Sequence, residues 1–271
     1  LALDKVDLSG INLKGANLSF ASLRGSSFRA VGEDGRWDTF DDSIADLSNA
    51  QFKQADLRDT NLSRVLMVRT DFSRANLKGA KLTNARLVSA NLSSAQLMGA
   101  DVGGAVLENA SLTGADLSEA IFNDADLYAA RLGRVIAIGT QLPFANLSKT
   151  DWQAADLSGA NLQRADLSNA NLSATRLTNT NFRSANLTGV NFRNADLSLA
   201  DLRGANLTEA DFQGAILFPA KQDPADQFVQ TPSTGSQSAV VKGVDFSQAK
   251  NLDTKQLAYI CTQGGIHPRC P

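Results

Sequence analysis

One histidine stands in the chain, His267, beside Pro268 near the C-terminus. A His-based metal cluster or an HExxH helix therefore has no ligands to build from, and a Ser-His-Asp set would have to converge on that single tail position. Neither a GxGxxG turn nor a GxxxxGK[ST] phosphate loop occurs. Acidic residues are plentiful, but at regular five-residue spacing they read more simply as a solvated face than as paired catalytic acids. The densest group is Glu33, Asp34, Asp38, Asp41 and Asp42, set around Trp37 and Phe40 in VGEDGRWDTFDDS (31–43). It lacks the D-x-[DN]-x-[DN]-G spacing of a calcium loop and reads as a solvated loop pinned by its two aromatics. Asn-Leu-Ser and Asn-Leu-Thr at 17, 61, 91, 146, 171, 186 and 206 mimic glycosylation acceptors only because a repeat spells them. The expectation is a non-enzymatic protein with no catalytic residues, no cofactor and no metal.

The two cysteines, Cys261 and Cys270, share one tail with Gly264, Gly265 and Pro268 between them. Either they form a disulfide tying the end of the chain back on itself, or one is a buried thiol and the other an unrelated exposed one. Placing both in one tail of an otherwise cysteine-free chain favours the pair.

The elements that would position such groups are set by a repeat. From Leu47 to Leu217 every fifth residue is Leu, Phe, Met, Val or Trp, apart from Ala137, and the residue two before each is Ala, Thr or Val, for 35 units without a slip. A shorter block carries the same pattern at Leu8, Leu13, Leu18, Leu23 and Phe28, one residue out of phase, so something between 29 and 46 resets the count. On a helix this spacing turns the apolar position by about 500° per unit and buries nothing coherent. On a plain strand an odd spacing sends successive large residues to opposite faces. The conflict disappears if the chain turns a corner every five residues, with the large residue and the small one two before it both pointing inward. Four such sides close a square coil of twenty residues.

The units, nearly without blemish in ADLSGANLQRADLSNANLSA (155–174), resemble the A(D/N)LXX pattern of the pentapeptide-repeat family. The resemblance covers residues 1–28 and 45–217 and implies an all-β solenoid, a right-handed quadrilateral β-helix. At the usual strand spacing of ~4.8 Å, about ten coils make a rod roughly 50 Å long. Stability is then nearest-neighbour in character. Gly79, Gly99, Gly114, Gly159, Gly189, Gly204 and Gly214 fall on the last position of their units, where a tight turn favours glycine. Ala137 leaves a void unless neighbours intrude, and Trp152, the single Trp at an inward fifth position, is a candidate to fill it from the next coil.

Residues 218–243 (FPAKQDPADQFVQTPSTGSQSAVVKG) have linker composition. After them one more unit begins at 244, and then Leu257, Ile260 and Cys261 sit at i, i+3, i+4, with Asp253 and Gln256 spaced as a capping box. The expectation is a short helix whose apolar face covers the open end of the rod, since a solenoid needs a cap over its last edge. Pentapeptide-repeat proteins of the cyanobacterial and chloroplast thylakoid lumen are similar, with a helical cap holding a cysteine pair. That resemblance implies an extracytoplasmic location, periplasm or thylakoid lumen.

The 26 basic and 28 acidic residues nearly balance, so the totals give neither the basic stripe of a nucleic-acid binder nor the acidic excess of a mimic. No run approaches the ~20 apolar residues of a bilayer span, and the chain begins at Leu1, so an export signal or anchor removed from ahead of it is not excluded. Two functions follow from the resemblance: an interaction rod, structural or protein-binding, and a DNA-mimicking inhibitor of a type II topoisomerase. The second is disfavoured because the side holding Asp56, Asp116, Asp156 and Asp196 also holds Arg176, Ile136 and Ile216, and another carries Arg164, Arg183 and Arg203. With twenty residues per coil, positions 66, 86, 106 and 126 stack in one outward column and 68, 88, 108 and 128 beside it. Leu66, Val68, Val88, Val106 and Tyr128 then gather on one side as a candidate patch for a protein partner or a homodimer, unless segment 29–44 or 218–243 folds back over them.

Overall fold

The computed structural model describes residues 1–28, 44–218 and 238–271. Parallel bridges join each outward position to the one twenty residues later, as in Asp46 to Leu66, Leu66 to Arg86 and Arg86 to Val106, so four five-residue sides complete each turn of the coil.

One side shows why the unit has its sequence. Leu47 N donates to Leu66 O at 2.8 Å, Asn49 N to Val68 O at 2.9 Å and Leu66 N to Ala45 O at 3.0 Å, which binds each coil to the next. Ala50 N donates to Leu47 O at 3.0 Å and closes the corner. The remaining donor, Ser48 N, goes to Asp46 Oδ1 at 2.8 Å. Every amide of the unit is thereby satisfied, and the Asp or Asn before each large residue supplies the one acceptor the backbone cannot. Asp and Asn at these positions are corner staples as well as a wet surface, a role the solvated-face reading missed. The fourth residue of the unit takes positive φ, 59° at Asn49 and 68° at Gly159. Ala129, Ala154 and Ala174 hold the same left-handed conformation at 54°, 58° and 54° with no side chain suited to it.

The axis is filled by the large residues, with Ala leaving room between them. Phe52 stacks on Phe72 at 5.1 Å and Phe192 on Phe212 at 5.3 Å between ring centres. Where Thr replaces Ala the hydroxyl is buried and donates to a carbonyl, of the previous coil for Thr70 to Leu47 O and Thr140 to Leu117 O, both 2.8 Å, and of its own coil for Thr150 to Leu147 O. Ala137 is fully buried, as is Trp152 one side back in the next coil, whose Nε1 donates to Thr150 Oγ1 at 2.9 Å.

The two blocks are one rod. Asn12 pairs with Asp46 and Ser27 with Asn61, so the ladder steps by 34 residues there and then resumes at twenty; the shift of phase in the sequence is an insertion into a continuous coil. The acidic segment 31–43 lies outside the described residues, and so does most of 218–243. The coil returns at Ser238, earlier than composition suggests: Val240 pairs with Asp201, and Ala239, Val241, Val244 and Phe246 are buried. The boundary drawn at 243 therefore moves back, because Ala-Val-Val-Lys-Gly is a repeat unit in which Val241 takes the place of Leu.

Helix α1, Thr254–Thr262, follows, with Asp253 as N-cap and the reciprocal Asp253–Gln256 capping box. Its buried residues are Gln256 and Ile260, with Leu257 only half-buried. The stripe expected through Leu257, Ile260 and Cys261 is therefore rotated toward Gln256, because the last coil presents carbonyls as well as apolar surface. Gln256 Nε2 donates to Phe212 O at 3.0 Å and Ala215 O at 2.7 Å. Tyr259 stacks on Phe218 at 4.9 Å and its hydroxyl donates to Ala239 O at 2.6 Å. Beyond α1 the tail turns at Gly264 and Gly265 and Ile266 pairs with Asp245. A Cβ on Gly265 would stand 2.6 Å from Ile260 Cγ2, so only glycine passes there. Cys261 and Cys270 meet at 2.01 Å between sulfurs, holding the tail to the helix.

Candidate interaction surface

No group of three or more His, Cys, Asp or Glu among the described residues could hold a metal ion, and no described helix is long and apolar enough to cross a membrane. A groove of about 590 Å³ lies at the end of the rod between Ala215–Phe218 and Asp253, Lys255 and Gln256. Two of its polar side chains are engaged: Asp253 Oδ1 accepts from Lys255 N and Gln256 N, and Gln256 caps the coil.

The side with the outward apolar residues is built from the corner rule upward. Rows Asp46, Leu66, Arg86, Val106 and Asp126 stack in one ladder. The backbone bonds from Asn49 N to Val68 O and from Arg69 N to Val88 O align the column beside it. Leu66, Val68, Val88, Val106 and Tyr128 are each half-buried and lie on four successive rows, as the twenty-residue period predicts. Arg86 and Glu108 sit among them, so the patch is apolar with two embedded charges. Tyr128 is held at its hydroxyl by Lys149 Nζ at 2.9 Å, with the ammonium 5.2 Å from the ring centre.

A second feature of these rows was not read from the sequence. Leu66, Arg86 and Val106 occupy three consecutive positions where Asp or Asn would normally accept the corner amide, as Asp46 does below and Asp126 above, the latter from Tyr128 N at 3.0 Å. No other ladder of the described residues gives up this staple three times running. The signal was present as three missing Asp or Asn residues at intervals of twenty; finding it required knowing what those residues do.

The flanking charge is set locally. The Ser48 hydroxyl and amide hold the Asp46 carboxyl below its usual value against the opposing effect of burial, with Lys14 adding to them. On the opposite side of the coil, Asp56 is paired by Arg58 and Asp156 by Arg176, and the same column also holds Ile136 and Ile216.

Among curated proteins no match was found. Among solved structures, the chain is similar to HetL, a pentapeptide repeat protein involved in heterocyst differentiation regulation from the cyanobacterium Nostoc sp. strain PCC 7120, at 31% identity over 79% of this chain and 88% of that one, TM-score 0.42. It is similar to QnrB1, a plasmid-mediated fluoroquinolone resistance protein, at 21% identity over 79% and 90%, TM-score 0.42. It is also similar to a pentapeptide repeat protein of the Arabidopsis thaliana thylakoid lumen, at 25% identity over 53% and 69%, TM-score 0.21. A family model described as pentapeptide repeats matches in eight copies over residues 2–29, 45–84, 66–104, 103–136, 140–179 and 180–217. The chain belongs to the pentapeptide-repeat family.

Proposed function

We propose that this protein is a non-enzymatic interaction rod whose contact surface is the side bearing Leu66, Val68, Val88, Val106 and Tyr128. The observation that carries the reading is the run of three abandoned corner staples under that patch. A fold that gains a hydrogen bond from Asp or Asn has no structural reason to place Leu, Arg and Val there, whereas a contact surface does. The mixed, paired charges of the Asp56 column argue against a phosphate-backbone mimic, which needs an unbroken acidic stripe. The Cys261–Cys270 pair supports action in an oxidising compartment, periplasm or thylakoid lumen.

The test is capture from a native extract with the wild-type chain and with Val88→Asp/Val106→Asp. A protein retained by the wild type and lost with the variant, at unchanged melting temperature, supports the reading. Equal retention by both overturns it.

A further inference from the structure

We infer that a second copy of this chain occupies that side, lying antiparallel about a two-fold axis that crosses the rod between the Arg86 and Val106 rows. This rests on the reading of the side as a contact surface and specifies what it contacts.

The argument is the order of charges. From Asn12 to Asp166 the ladder gives eight rows, and the outward residues of each row carry a single formal charge. Turning the rod end over end about the stated axis sets the Arg86 row against the Glu108 row and the Arg69 row against the Asp126 row. Further out it sets Asp46 against Lys149 and Lys14 against Asp166. All four pairings are between opposite signs, and the two-fold repeats each of them. The apolar residues occupy the four central rows: Leu66 and Val68 meet the Tyr128 row, and Val88 meets the Val106 row. A dry centre flanked by charge is the usual anatomy of a contact.

Other arrangements fail on the same residues. Parallel rods set every row against its own copy, like charge on like. Sliding the antiparallel pair by one coil opposes Arg86 to Arg86 and Asp46 to Asp126. Isologous pairing needs a self-complementary patch, and only the stated register makes this one so. The ion pairs formed among the described residues use none of Arg69, Arg86, Glu108 or Asp126; Asp126 Oδ1 accepts from Tyr128 N and Asn146 Nδ2, two neutral donors that leave its charge to a partner. Eight rows at ~4.8 Å extend about 34 Å, a long and narrow contact at the small end of specific interfaces. A micromolar dissociation constant is therefore expected.

The test is sedimentation equilibrium of the full chain from about 1 to 200 μM, which brackets that affinity, at low and high salt. Dimer at low salt that weakens with added salt is the expected result. Arg86→Glu and Glu108→Arg should each weaken the dimer tenfold or more. The charge swap carrying both should restore it, because the two rows then face each other with their signs exchanged and still opposite. An equal mixture of the two single variants should form a mixed dimer. Neither side chain staples a corner, so at concentrations where the wild type is monomeric both variants should melt with it. A wild type that stays monomeric throughout overturns the self-pairing, while capture that still depends on Val88 and Val106 would leave the contact surface standing. A dimer that the charge swap fails to restore overturns the register.

Discussion

The rod between 44 and 217 and the end between 238 and 271 solve the same problem by opposite means. In the rod, each coil's polar backbone is satisfied by the next coil and, at many corners, by an Asp or Asn, and no corner depends on the side chain of a residue such as Val88 or Glu108. At the end there is no next coil. Gln256, Tyr259 and Ile266 each meet a specific carbonyl or amide of the last turns, and every one of them is committed. On the proposed reading, outward apolar residues mean different things in the two places: those at the end seal the solenoid, whereas those on the rod serve a partner.

The comparison can be broken most forcefully at the disulfide. Replacing Cys261 and Cys270 by Ala should remove about 2–4 kcal/mol from the tail and helix. Because coils couple only to neighbours, hydrogen exchange should rise over 254–271 while the coils around 100–180 stay protected. Loss of protection along the whole rod would show that the end and the rod form one cooperative unit. Thiol titration of the unfolded, unreduced protein should find no free thiols.

A finer cut compares one buried polar group in each region. Gln256→Leu leaves Ala215 O without its donor and should cost about 1–3 kcal/mol in chemical denaturation. Thr140→Ala should cost less than about 1 kcal/mol, since Leu117 O keeps its corner bond from Ala120 N. Similar losses would erase the distinction.

Corners give smaller effects of predictable sign. Ala154→Gly should stabilise by up to about 1 kcal/mol by relieving a left-handed alanine at φ 58°. Gly159→Ala should cost about 1 kcal/mol with open space around the new methyl, and Gly214→Ala more, because its Cβ would stand 2.4 Å from Asn194 Oδ1. Thermal melts of the three rank them.

Much of this was legible in the sequence, and the reason is geometric. A period of five with a small residue two before each large one fits only a chain that turns every five residues, so the square coil and the stacking of 66 over 86 over 106 follow from counting. The capping box of Asp253 and Gln256 was equally readable. The second task of Gln256 was not, because its partners, Phe212 O and Ala215 O, lie more than forty residues away and carry no side-chain signature. The return of the coil at Ser238 was hidden because Val241 stands in for Leu within a Ser- and Gly-rich stretch. The patch was read as five apolar residues, and its charges went unordered because opposite signs on one side look neutral until they are taken row by row.

The most direct measurement is the melting temperature and sedimentation mass of Val88→Asp/Val106→Asp beside the wild type. If the outward side of the rod is spare for folding and dedicated to contact, the variant melts within about 0.5 kcal/mol of the wild type when both are melted well below the dimer's dissociation constant, as surface substitutions do, while at high concentration its mass falls from dimer to monomer. A lowered melting temperature in a chain that is monomeric before and after substitution would contradict this and show that these residues are covered from within.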